Sequence, residues 1–185
     1  MKSILTFLFV LGLSWSTAQN TTSVNLDKSK IEWIGKKLTG QHNGNIVLKS
    51  GDLVFYEGKL LKGLFKIDMN SISCSDLKGE SADKLVNHLK SEDFFNSNKF
   101  PEALLNFREV KHIEGSSYLI IADLSIKGIT KTIEFNADIR ENKASAVINV
   151  DRTDYDIRYG SKSFFDELGD KAIDDIFVIK IDLVF

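Results

Sequence analysis

The chain has 185 residues, 24 of them basic and 26 acidic, for a formal net charge of −2. That balance excludes a nucleic-acid role, because no basic cluster is present to displace counterions from a phosphate backbone. A single cysteine, Cys74, excludes an internal disulfide.

The first eighteen residues read as an export signal. Lys2 supplies the positive start, Ile4 to Leu13 is an apolar run, and Ser16-Thr17-Ala18 offers small residues before a cut at Gln19. The run is too short to span a bilayer, which takes about 20 apolar residues. The expected organisation is a signal peptide over 1–18 and one exported domain over 19–185, long enough for a real core.

From there, period-2 alternation dominates. Strands are expected over Lys30–Leu38, Asn45–Lys49, Leu53–Tyr56 and Leu60–Met69. One segment then changes period. Ala82, Leu85, Val86 and Leu89 recur at helical spacing, which predicts a short amphipathic helix over Ser81–Lys90 with Ser81 as N-cap, followed by a turn over Ser91–Phe95. Strands resume over Leu104–Lys111, Tyr118–Lys127, Thr132–Arg140, Ser145–Val150 and Phe177–Phe185. In Thr132–Arg140, Ile133, Phe135, Ala137 and Ile139 point one way and polar residues the other, the mark of a half-buried strand. Turn signals sit at Asn43-Gly44, Ser50-Gly51, Glu57-Gly58, Glu114-Gly115 and Lys127-Gly128, where glycine permits positive φ. About nine such runs with short connections imply an antiparallel barrel or sandwich.

The polar clusters offer little chemistry. "DRTDYDIRYGSKSFFDELGD", residues 151–170, is rich in carboxylates. It fails as a calcium loop because Arg158 and Tyr159 stand where an acidic residue and glycine belong. Asp166, Glu167 and Asp170 leave a carboxylate-based enzyme open, but Arg152, Arg158, Lys162 and Lys171 suit simple surface ion pairs. His42, His88 and His112 lack metal-ligand spacing, and His42, in "TGQHNGN", is the one histidine with a functional reading. No nucleophile elbow, zinc motif or phosphate-binding glycine loop appears, so neither catalysis nor a cofactor is expected. Phe94-Phe95 and Phe164-Phe165 either plug the ends of a barrel or form the mouth of an apolar cavity, since about eight strands enclose room for side chains or one small ligand.

Three stretches together resemble the YceI-like family: "HLKSEDFFNSNKFP" (His88–Pro101), "ADLSIKGITKTIEFNADI" (Ala122–Ile139) and "INVDRTDYDIRYGS" (Ile148–Ser161). Ala122 replaces the leading glycine of the family hairpin, and Leu105 stands where a phenylalanine is frequent. The Gly-x-Trp signature of true lipocalins is absent, since Glu32 precedes Trp33. The resemblance implies a mainly β fold: an extended, lipocalin-like antiparallel β-barrel of about eight strands with one short amphipathic helix. It implies an exported (periplasmic or secreted) homodimer that binds a long-chain apolar molecule such as a polyisoprenoid or isoprenoid quinone, with transient membrane contact. The expected cavity walls are Trp33, Phe55, Phe65, Ile67, Phe107, Leu124, Phe135, Ile148 and Phe177. Phe164 and Phe165 guard the mouth, and His42, Asp151 and Arg152 contact a polar head group. The competing expectation is a solid-core barrel serving as an interaction or stress-response scaffold.

Overall fold

The computed structural model describes residues 19–185; the expected signal peptide lies outside them. The strands are β1 (Asn20–Ser23), β2 (Lys30–Lys37), β3 (Gly40–Tyr56), β4 (Lys59–Asp68), β5 (Glu102–Glu114), β6 (Ser117–Ile126), β7 (Ile129–Arg140), β8 (Lys143–Asp151) and β9 (Ile176–Val184), with helix α1 (Glu80–Lys90) between β4 and β5. All pairings are antiparallel. The ladders run β3-β2-β9-β8-β7-β6-β5-β4 and return to β3, closing an eight-stranded barrel. The short β1 adds to the lower part of β3, opposite Asp52–Phe55.

Closure depends on the length of β3. Its first half pairs with β2 and its second half with β4, so one 17-residue strand joins both ends of the sheet. The glycine pairs expected to end strands here do not. Ser50-Gly51 lies at a register shift between Leu48 and Ser50, a bulge that bends the strand without breaking it. A Cβ on Gly51 would meet the Phe65 ring at 2.8 Å, and one on Gly44 would meet the Ser73 carbonyl oxygen at 1.7 Å. Both glycines mark close approach rather than a hairpin. The β2–β3 turn falls at Leu38-Thr39 instead.

Along β6, Tyr118, Ile120, Ala122, Leu124 and Ile126 are all buried and the intervening residues are only partly covered. The alternation therefore reports the inner face of the barrel faithfully. Each such large apolar side chain contributes about 1.5–3 kcal/mol by leaving water.

Beyond Asp68, β4 stops while β3 continues toward Gly40. Residues 71–76 take over as a strap along that exposed edge. Ser73 N–H donates to Asn45 O at 3.0 Å and Ser75 N–H to Asn43 O at 2.9 Å, while Ser71 Oγ accepts from Val47 N–H at 2.8 Å. The strap leads into α1, which begins one residue earlier than expected. Its N-cap is Gly79 at φ +57°, without a side-chain cap bond, rather than Ser81. Glu80 and Asp83 in the first turn and His88 and Lys90 in the last complement the helix dipole. Leu89 is its buried contact, and with Phe94 it closes this end of the barrel.

Gly44→Ala is expected to force the strap off β3 and to lower stability by about 1–3 kcal/mol, read as a lower urea midpoint with an unchanged slope.

Candidate functional site

The inward faces of the strands enclose an apolar cavity. Its volume is about 180 Å³. Its wall runs from Met69, Ile72, Leu89 and Phe94 at the α1 end to Ala144 and Leu183 near the β7–β8 hairpin. Along β8 alone, the lining from Ala144 to Val150 spans roughly 20 Å at about 3.3 Å per residue, so the space is long and thin.

The void exists because small residues occupy inward positions. Ala137 faces Ala146 across the β7–β8 ladder, and Ala144 faces Leu183 across β8–β9. Ala144, Ala146, Ile179 and Ile181 point inward and line the cavity, yet all four are only half-buried, because they look onto space rather than onto other side chains. A dry engineered cavity of about 150 Å³ accepts benzene, whereas drug-sized pockets start near 300 Å³. The interior as it stands suits a slender chain. Three rings of the wall pack in series: Phe65 and Phe107 lie 5.5 Å apart, and Phe107 and Phe135 lie 6.1 Å apart, centroid to centroid.

The structure places Trp33, Phe65, Ile67, Phe107, Leu124, Phe135, Ile148 and Phe177 on this wall, together with Arg152. Phe55 is elsewhere. A second register shift, between Val54 and Phe55, precedes it, and its ring stacks on Phe185 at 5.6 Å at the far end of the barrel. Phe164 and Phe165 are exposed on the loop after β8, with the Arg158 guanidinium 4.7 Å from the Phe164 ring centroid. They are not part of the wall. Nor is Asp151, whose Oδ1 accepts from Thr153 N–H at 2.9 Å and Thr153 Oγ1 at 2.6 Å, capping the 3₁₀ turn Arg152–Tyr155. Wall residues that strand alternation could not single out include those arriving from outside the sheet, Ile72, Leu89, Phe94 and Phe95.

Arg152 is 1% exposed. Its Nε donates to Asp174 O at 3.0 Å, Nη1 to Ile157 O at 2.8 Å, and Nη2 to Ile173 O at 3.0 Å and Asp175 Oδ1 at 3.3 Å. Burial draws its pKa down, while the carboxylates of Asp175, Asp151 and Asp174 push it back. With four of its five N–H groups given to three backbone carbonyls and one carboxylate, Arg152 acts as a pin holding the loop before β9 onto the barrel. It is poorly placed to receive a ligand head group.

His42 is likewise committed. Its Nδ1 lies 2.8 Å from Asp76 Oδ2, while Asp76 Oδ1 accepts from Asn43 N–H at 3.0 Å and from Cys74 Sγ at 3.3 Å. Burial pushes the Asp76 carboxyl up, but these hydrogen bonds outweigh it and hold the pKa at about 2. The cluster fastens the strap. Among the described residues, no group of three or more histidine, cysteine, aspartate or glutamate side chains is arranged to hold a metal.

The model of the YceI-like domain family matches residues 15–185. A UPF0312 protein of Photorhabdus laumondii subsp. laumondii is 44% identical over 52 residues, which is 28% of this chain and only 27% of that protein's length. Among solved structures, Burkholderia cenocepacia BcnA is similar with a TM-score of 0.73 at 20% identity, over 88% of this chain and 99% of that one. A polyisoprenoid-binding domain from Saccharophagus degradans, implicated in plant cell wall breakdown, gives 0.61 at 15% identity, over 87% and 95%. The YceI protein of Campylobacter jejuni gives 0.54 at 15% identity, over 97% and 90%. At these identities the structural likenesses establish the fold.

Two outcomes test the pinning roles. Arg152→Met is expected to cost about 3–5 kcal/mol of stability, with no rescue by Arg152→Lys, whose ammonium lacks the planar fork; a denaturant titration checks both. A depressed carboxylate stabilises the fold above its unfolded pKa of about 3.9. The Asp76 contribution is therefore complete at neutral pH and lost as pH falls through about 2. Asp76→Asn is expected to lower stability at neutral pH and to flatten the pH dependence in that acid window.

Proposed function

The chain belongs to the YceI-like domain family, and on that premise we propose that it is an exported, non-catalytic carrier. It holds the hydrocarbon tail of an amphiphile, a polyisoprenoid, an isoprenoid quinone or a similar lipid, along its barrel. The observation that carries this reading is the long apolar cavity, with inward alanines facing space.

The energetics favour the tail over the head. Each buried CH₂ contributes about 0.8 kcal/mol, while a net hydrogen bond contributes roughly 1 kcal/mol. A few methylenes outweigh any one head-group contact, although ordering a flexible tail subtracts from the sum. Arg152 and His42 are engaged by the protein itself, which leaves few polar groups to select a head. The polyisoprenoid-binding domain of S. degradans, which shares the fold, supports the same class of ligand. A solid-core scaffold requires a filled interior, and the void beside Ala144 and Ala146 argues against it.

A carrier of this kind exchanges ligand with a membrane. Phe164 and Phe165, 44% and 50% exposed, are apolar rings suited to brief insertion at a bilayer surface. We read the protein as working in the periplasm or outside the cell, as a homodimer.

Native mass spectrometry of protein purified from its own cells is expected to show the chain plus a hydrocarbon-tailed molecule. Ala146→Phe, which fills the cavity, is expected to lose that mass while keeping its β-sheet circular dichroism. A ligand-free wild-type chain that also refuses added polyprenols and quinones would contradict the proposal.

A further inference from the structure

The β7–β8 ladder is the shortest in the ring. It has four residue pairs, from Ala137 opposite Ala146 to Arg140 opposite Lys143. Toward the α1 end both strands continue, β7 back to Ile129 and β8 on to Asp151, yet they no longer pair with each other. Their other edges remain fully laddered to β6 and β9. One step past the ladder, Asn136 and Val147 would face each other, and one step further Phe135 and Ile148. The last two line the cavity. Along this seam no backbone ladder closes the wall.

Two other ladders are short, but their seams are filled. Beyond the five pairs of β4–β5, the Phe107 ring sits against Gly63, where a Cβ would come within 2.6 Å of it. Beyond the five pairs of β2–β9, Asp174 N–H donates to Lys36 O at 2.8 Å and Lys37 bridges Ile173.

The β7–β8 seam is covered by the segment from Arg152 to Ile157, and that cover is fastened unequally. On the β9 side it is held by the buried Arg152 bonds and by Arg152 N–H to Asp175 O at 2.9 Å. On the β7 side its ion pair and hydrogen bond are at the surface: Lys131 Nζ to Asp154 Oδ1 at 3.6 Å, and Lys127 Nζ to Asp156 O at 3.1 Å. Tyr155, 1% exposed, wedges beneath the cover with its hydroxyl buried and without a hydrogen-bond partner. A buried unpartnered hydroxyl penalises the closed state, and opening relieves it.

We propose that the hydrocarbon tail passes into and out of the cavity sideways, through the unladdered part of the β7–β8 seam, with Arg152–Ile157 as a cover that parts from β7 and stays with β9. This rests on the carrier reading above. A sideways slot lets a long tail slide in along its length, where passage through the α1 end requires displacing Leu89, Phe94 and the strap.

The test is a disulfide across the seam. N136C/V147C in a Cys74→Ser background joins two exposed outward positions just past the ladder. The probe is cis-parinaric acid, a fluorescent long-chain polyene, mixed in a stopped-flow instrument. The oxidised protein is expected to bind it about tenfold more slowly or worse, as for a locked gate, with the rate restored by reductant. As a second variant, K127A/K131A loosens the cover and is expected to speed both association and release several-fold, as when a gating equilibrium is shifted toward its open state. Unchanged rates in the oxidised double-cysteine protein, or in K127A/K131A, overturn the seam and leave the carrier reading intact. Absence of probe binding to the wild-type chain overturns the carrier reading itself.

Discussion

Everything in this molecule follows from the fixed girth of an eight-stranded ring. Strand number and tilt set the internal width, so the summed volume of the inward side chains decides whether the barrel is solid or hollow. Large residues fill most of it: Leu53, Phe65, Ile120 and Phe135 are all buried. Near the β7–β8 hairpin three inward positions, Ala137, Ala144 and Ala146, are instead small, and the cavity persists beside them. Packed interiors tolerate few voids larger than water because each forfeits dispersion contacts. A cavity running most of the barrel's length is a standing cost that a bound hydrocarbon tail would offset.

The polar residues at the α1 end serve closure. The strap is stitched to β3 by backbone bonds and by the Asp76 carboxylate, and the loop before β9 is pinned by Arg152. Removing charge from the business of recognition has a functional consequence. On the proposed carrier reading, a wall whose one cation, Arg152, is held by the protein itself would discriminate by shape and length more than by head group.

Much of this was legible in the chain. The alternation over Tyr118–Lys127 and Thr132–Arg140 maps onto inner and outer faces, which sets Leu124 and Phe135 on the cavity wall. Phe55 lies off that wall because a bulge shifts the phase of the pattern at the end of β3. Gly44 and Gly51 misled for a related reason: glycine needed for close approach of a strap or a ring has the same letter as glycine needed for a turn. His42, Asp151 and Arg152 look free in a sequence, where the backbone carbonyls and N–H groups that occupy them are invisible. The contribution of Leu89, Phe94 and Phe95 to the wall depends on where a connection lands, which no local periodicity encodes.

The measurement that bears most directly on this account is calorimetric titration of a homologous series of linear amphiphiles, varying tail length at constant head and then head charge at constant tail. The account predicts that each added methylene strengthens binding by about 0.8 kcal/mol until the cavity is full, with nearly the same slope for neutral and anionic heads and a negative heat-capacity change. Affinity that is flat with tail length and governed by head charge would contradict it.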